Sequence, residues 1–156
     1  MSKLPKIALE AAIKARALTE KALKLARQGK GPLYEKDFVP TKQIVEHLGG
    51  YCGWASYILY KLLPGSELVY GSMDDQGHAW IQYKDWYIDI TYTQFQSPES
   101  KKRKVYYVRA SGRAAMKRRY LPIKEGIEAR VEIRNWYNLI RGDWMPEANK
   151  YIASHS

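Results

Sequence analysis

At 156 residues and 46% hydrophobic content, the chain suits one domain with a core of ordinary size. Its single cysteine, Cys52, excludes an intrachain disulfide and a multi-cysteine zinc site, and no apolar run approaches the length that crosses a bilayer. The formal charge of +10 is local: residues 101–134 hold 12 Lys or Arg against 3 Glu while the remainder is nearly balanced, so this segment either steers the protein to an acidic partner, nucleic acid or anionic surface or is a solvated helix face that keeps the chain soluble.

Residues 1–27 carry Lys and Arg throughout, unlike a secretory leader, and a lone thiol suits a reducing compartment, so a cytoplasmic location is expected. Apolar residues at Ile7, Leu9, Ala12, Ile13, Leu18, Ala22, Leu23 and Leu25 predict an amphipathic helix over 5–28 within the amino-terminal stretch 1–30. Pro5 is tolerated in a first turn, and Gly29-Lys30-Gly31-Pro32 supplies the stop. Such a helix serves either the core or as an arm that docks on a partner. Thr41, after Pro40, caps a short helix to 48, which Gly49-Gly50 breaks. The next helix runs from 52 or 53 to 63, with Ala55, Ile58, Leu59 and Leu62 along one stripe and Pro64-Gly65 at its end. Residues 68–70, 78–83, 86–91 and 105–108 are short and rich in β-branched and aromatic side chains, which predicts strands. A closing helix is expected over 123–139 from Ile127, Val131 and Tyr137, weakened in its first turn by Gly126. Helices, then a small antiparallel sheet, then a helix make an α+β fold.

Chemistry concentrates in 77–91. A two-residue turn at Lys84-Asp85 sets Tyr83 opposite Trp86 and groups Ala79, Ile81, Tyr83, Trp86, Ile88 and Ile90 on one apolar face. His78, Trp80, Gln82, Tyr87, Asp89 and Thr91 take the other face, where His78 and Asp89 become diagonal neighbours whose side chains meet. A carboxylate on one ring nitrogen fixes the tautomer and frees the other nitrogen to exchange a proton with a nucleophile. Cys52 is the candidate nucleophile, because unpaired amides and the dipole at a helix start favour thiolate. Gly49-Gly50 lets a substrate approach the backbone, and an oxyanion is expected to be met by the Cys52 amide with Gln43 or His47. Taken singly, a lone cysteine is a small core residue and a strand histidine is ordinary. An Asp in mid-strand aligned with the nearby histidine needs a cause.

These residues resemble a known family. His78-Ala79-Trp80-Ile81, a short turn, then Trp86 and Ile88-Asp89-Ile90-Thr91 are similar to the transglutaminase-like signature of a His-Ala-Trp strand followed by a strand bearing Asp. Cys52 opening a helix with Ala55 and Leu59 matches that family's cysteine helix, and the likeness spans about residues 49–95. Its order, Cys then His then Asp, is that of the wider papain-like superfamily, which includes arylamine N-acetyltransferases and bacterial cysteine peptidases. The resemblance implies a single transglutaminase-like domain over 1–156 with a papain-like core and its nucleophile at a helix amino terminus. It implies Cys52 as nucleophile, His78 as general base and acid, Asp89 as orienting group and Trp80 as a lining residue. The acyl group passes through a thioester to water or an amine. The interval from Cys52 to His78 is short, and no calcium-type loop is visible beyond Asp74-Asp75, so no metal or cofactor is expected.

The leading expectation is a cysteine peptidase, deamidase or transglutaminase acting on an amide or isopeptide bond of a protein or peptide, with the polar segment 74–77 walling the cleft. The alternative is a non-catalytic module of the same fold that grips nucleic acid or an acidic protein. Lys101, Lys102, Arg103, Lys104, Arg109, Arg113, Lys117, Arg118 and Arg119 would neutralise phosphates while Tyr106, Tyr107 and Tyr120 stack on bases. A third possibility makes the amino-terminal helix and the basic segment docking surfaces of an assembly.

Overall fold

The lysine-rich amino-terminal segment folds into helix α1 (Lys6–Arg27) in the computed structural model, which describes residues 3–95, 103–113, 115, 120–136 and 143–155. Ala8, Ala11, Ala12, Ala15, Ala22 and Ala26 line its buried face, and their small side chains let α1 lie close against α3 (Cys52–Leu62). Ile7 and Ile13, which spacing assigns to the apolar stripe, face solvent because alanines make the contact instead. Thr41 caps α2 (Lys42–His47) as expected, its Oγ1 accepting from the Ile44 amide at 3.1 Å.

Five strands form one antiparallel sheet: β1 (Glu67–Met73), β2 (Gln76–Tyr83), β3 (Trp86–Asp89), β4 (Tyr106–Arg109) and β5 (Leu121–Glu125), in the order β4-β3-β2-β1-β5. The expected 74–77 loop is shorter than predicted. Asp74 and Asp75, with φ of 49° and 63°, make a two-residue hairpin turn, and Gln76 and Gly77 already belong to β2.

The largest departure from expectation lies at 121–126. A helix is predicted from 123, yet Leu121–Glu125 pairs with β1, and helix α4 (Gly126–Asn135) starts only after Gly126 turns the chain at a φ of 63°. Gly71 makes that pairing possible: a Cβ there would sit 2.1 Å from the Leu121 carbonyl oxygen. The remainder of the expected helix, 137–139, lies outside the described residues. Helix α5 (Met145–Ser154) has no counterpart among the expected elements. Its Tyr151 donates a hydrogen bond to the Leu18 carbonyl at 2.8 Å, which fastens it to α1.

The sheet separates two buried clusters. Ala79, Ile81, Trp86, Ile88 and Ile90 face the helices, while Trp80, Tyr87, Tyr92, Tyr106 and Tyr120 form an aromatic cluster on the opposite face. Among the described residues no helix is long and apolar enough to cross a membrane.

One buried cation ties the helices to the segment after β3. The Arg16 guanidinium donates to the Ile90 carbonyl at 2.8 Å, Thr93 Oγ1 at 2.7 Å, the Glu46 carbonyl at 2.5 Å and the Glu20 carboxylate at 3.3 Å. Burial lowers its pKa, and the Glu20 and Asp89 carboxylates oppose that shift. Truncating such a group strands several acceptors at once. Arg16→Met is therefore expected to lower the unfolding free energy by about 3 kcal/mol in urea titrations, whereas a loss below about 1 kcal/mol would mean these bonds contribute little.

Candidate active site

Strand register fixes the first contact. Ile81 pairs with Ile88, Gln82 with Tyr87 and Tyr83 with Trp86, as alternation around Lys84-Asp85 requires, so His78 and Asp89 share one face on a diagonal. Their side chains meet: His78 Nε2 lies 2.7 Å from Asp89 Oδ2. Both are buried, at 0% and 1% exposure.

Asp89 is bonded on every side. Tyr120 donates its hydroxyl to Oδ2 at 2.8 Å, while the Thr91 amide and hydroxyl donate to Oδ1 at 3.0 and 3.2 Å. Burial works against the charge, but the His78 cation and these donors hold the carboxyl below its ordinary pKa. Burial and the Asp89 charge together push the Tyr120 phenol well above its own, so it remains a donor. Tyr120 is legible in sequence only as one tyrosine among thirteen, since the contact crosses from a segment 31 residues away.

His78 is enclosed as well. Trp80 stacks on it at 5.8 Å and Phe95 meets it edge-on at 4.9 Å. The side-chain amide of Gln94, from the 3-10 turn Tyr92–Gln94, lies with Nε2 2.8 Å from His78 Nδ1. Cys52 is close enough to the same imidazole to act on its charge. Burial disfavours the imidazolium, but the Asp89 charge and hydrogen bond, followed by those of Cys52, outweigh it and raise the His78 pKa to about 10.

Cys52 opens α3 and is 5% exposed. Its neighbour Gly53 explains the packing there: a Cβ would come within 2.9 Å of the Trp136 ring and 3.2 Å of Ile133 Cγ2, so α4 and the residue after it close over the cysteine turn only because no side chain intervenes. Gly50, at a φ of 85°, has open space around the position of a Cβ.

The structure thus brings Cys52, His78, Asp89 and Trp80 together. Trp80 lines the site by covering the imidazole face and is itself fully buried; its Nε1 is the one buried side-chain polar atom without a hydrogen-bond partner among the described residues. Gln43 is exposed on α2, and His47 Nδ1 accepts from the Gly49 amide at 2.9 Å. Gln94, Tyr120 and Phe95 are the site residues that the sequence did not reveal. Alternation ends at Asp89, and nothing in the spacing indicates where a 3-10 turn returns its side chains.

The nucleic-acid grip loses most of its aromatics. Tyr120 and Tyr106 are buried, the latter stacked on Tyr92 at 4.1 Å, and only Tyr107 is exposed. Arg109 lies over Trp86 at 4.2 Å and near Asp85 at 3.8 Å, Arg103 over Tyr106 at 5.9 Å, and Lys104 bridges to Glu20 at 3.0 Å. Arg113 is exposed, while Lys101, Lys102, Lys117, Arg118 and Arg119 lie outside the described residues. A cleft of about 600 Å3, lined by Glu20, Lys24, Arg27, Lys42, Glu46 and Thr93 among others, does not include the cysteine, histidine or aspartate. Among the described residues no cluster of three or more His, Cys, Asp or Glu is placed to hold a metal ion. No family model, no curated protein and no solved structure matches the chain.

The buried pair makes stability depend on pH in a defined sense. His78 holds its proton more tightly folded than unfolded, so its contribution is complete below the unfolded value of 6.5 and is lost as pH rises through about 10. Asp89 is shifted the other way, and its contribution is present above 3.8 and lost as pH falls through its lower folded value. The excess stability of wild type over Asp89→Asn is therefore expected to be largest between 3.8 and 6.5 and to shrink toward 10, read from denaturation at successive pH values. A difference that does not change across this range would contradict a charged pair.

Proposed function

We propose that this protein is a cysteine-nucleophile acyl-transfer enzyme acting on amide or isopeptide bonds of a protein or peptide, on a transglutaminase-like, papain-like core. The observation that carries this reading is the imidazole of His78, bonded through Nε2 to Asp89 at 2.7 Å, with Cys52 close enough to act on the charge of the same ring. A carboxylate-braced imidazole beside a thiol at a helix amino terminus is what nucleophilic catalysis on a carbonyl requires.

In this scheme the Cys52 thiol proton resides on His78, and the sulfur attacks the amide carbonyl. The carbon–nitrogen bond then breaks, the departing nitrogen takes the proton from His78, and the acyl group remains on sulfur as a thioester. Water, or an amine in a transfer reaction, attacks the thioester carbon. Its proton passes to His78, the carbon–sulfur bond breaks, and the acid or new amide leaves. Asp89 stays ionised throughout and keeps the ring oriented. The amides of the first turn of α3 are available to the developing oxyanion. Because Cys52 is the sole cysteine, any thioester has one possible address.

A small activated ester tests this without knowledge of the substrate. Incubation with p-nitrophenyl acetate is expected to place one acetyl group on Cys52, visible by peptide mass, with a burst of p-nitrophenolate. His78→Ala is expected to slow that step on the order of 100-fold or more. Acetylation confined to lysines and indifferent to Cys52→Ala and His78→Ala would refute the proposal.

A further inference from the structure

Asp89 occupies His78 Nε2, which leaves Nδ1 as the ring atom through which protons can pass to and from a substrate. That atom is not open. Gln94 Nε2 sits 2.8 Å from it, within the 2.6–3.2 Å over which a general acid delivers a proton to a departing nitrogen. The resting protein therefore sets its own carboxamide against the ring atom at the distance a substrate's amide would take.

Gln94 is not a loosely swinging surface side chain. Its backbone amide donates to the Thr91 carbonyl at 3.0 Å, and Thr91 is itself bonded to Asp89. The preceding Thr93 is held from two sides, accepting from Arg16 at 2.7 Å and donating to the His47 carbonyl at 3.0 Å. Phe95, the next residue, packs edge-on against the imidazole. With Trp80 on the ring as well, His78 has no exposed surface, and Gln94, itself half-buried, is the polar member of this cover. The carboxamide also suits both charge states of the ring: a neutral imidazole accepts from the amide nitrogen, and an imidazolium donates to the amide oxygen once the group turns over.

We propose that Gln94 is an internal amide occupying the leaving-group position of the site, so that a substrate carboxamide or peptide amide engages His78 by displacing it. The inference rests on the Cys-His-Asp reading given above. Gln94 acts here as a positioning residue that keeps the site closed at rest.

Iodoacetamide alkylation of Cys52 reads this directly, since the chain has one cysteine and the probe carries a small carboxamide. Gln94→Ala is expected to raise the second-order rate constant over wild type on the order of fivefold, the factor carried by one net hydrogen bond. Gln94→Asn, whose shorter side chain falls short of Nδ1, should behave the same way. Gln94→Glu, which accepts from an imidazolium and strengthens the cover, should label no faster than wild type. The increase must occur in folded protein, so Gln94→Ala should also label faster than the same chain in denaturant. Rates for Gln94→Ala and Gln94→Asn at or below wild type would overturn the proposal, as would increases matched by the denatured chain. If these variants fail while His78→Ala still slows labelling, the internal amide is wrong and the Cys-His-Asp reading stands. If His78→Ala leaves the rate unchanged in wild type and in Gln94→Ala alike, both are wrong.

Discussion

The bond between His78 and Asp89 is the constraint around which the sheet is built. Either group alone at this depth would be costly to bury, and removing one partner of such a pair strands the other. The protein offsets that cost with full satisfaction of the carboxylate: Tyr120, Thr91 and His78 together use both oxygens. The aromatic cluster on the same face then excludes water from the pair. Trp80, Tyr87 and Tyr120 pack edge-on or tilted against one another, which strengthens the electrostatics of the pair by lowering the surrounding polarity.

Arg16 extends this constraint to the helices. It reaches from α1 to the carbonyl of Ile90, the residue after Asp89, and to Thr93, the residue before Gln94. The amino-terminal helix is thereby a structural part of the site's support as well as a core element, and its packed alanine face leaves it anchored to α3 beside Cys52. The cysteine arrives on one helix and the imidazole on a strand, and α3 lying against β2 brings them together. In the basic segment, Arg109 is engaged with Trp86 and Asp85, and Lys104 with Glu20.

Much of the site was legible because its geometry is local. Alternation around Lys84-Asp85 sets the β2–β3 register, and register alone places His78 diagonal to Asp89. The start of α3 at Cys52 follows from Gly49-Gly50 before it and an apolar stripe after it. What could not be read is what reaches the pair from outside the hairpin's alternation. Tyr120 and Gln94 reach the pair through segments whose paths depend on tertiary packing. The strand at Leu121–Glu125 was hidden because its pairing depends on an absent side chain at Gly71, a property of the neighbour and not of the strand itself. A second buried face was likewise hidden: Trp80 and Tyr87 stand on the face shared with polar residues, and only the tyrosines brought in by later segments turn that face into a core.

The charge state of the His78 ring is the quantity on which every later step depends. Nitrogen-15 NMR of the side chain at about pH 8, above the ordinary histidine range, measures it without any substrate. Two protonated ring nitrogens on His78, reverting to one in Asp89→Asn, is the predicted result. A single protonated nitrogen in wild type, titrating near the value of a free histidine, would contradict the account.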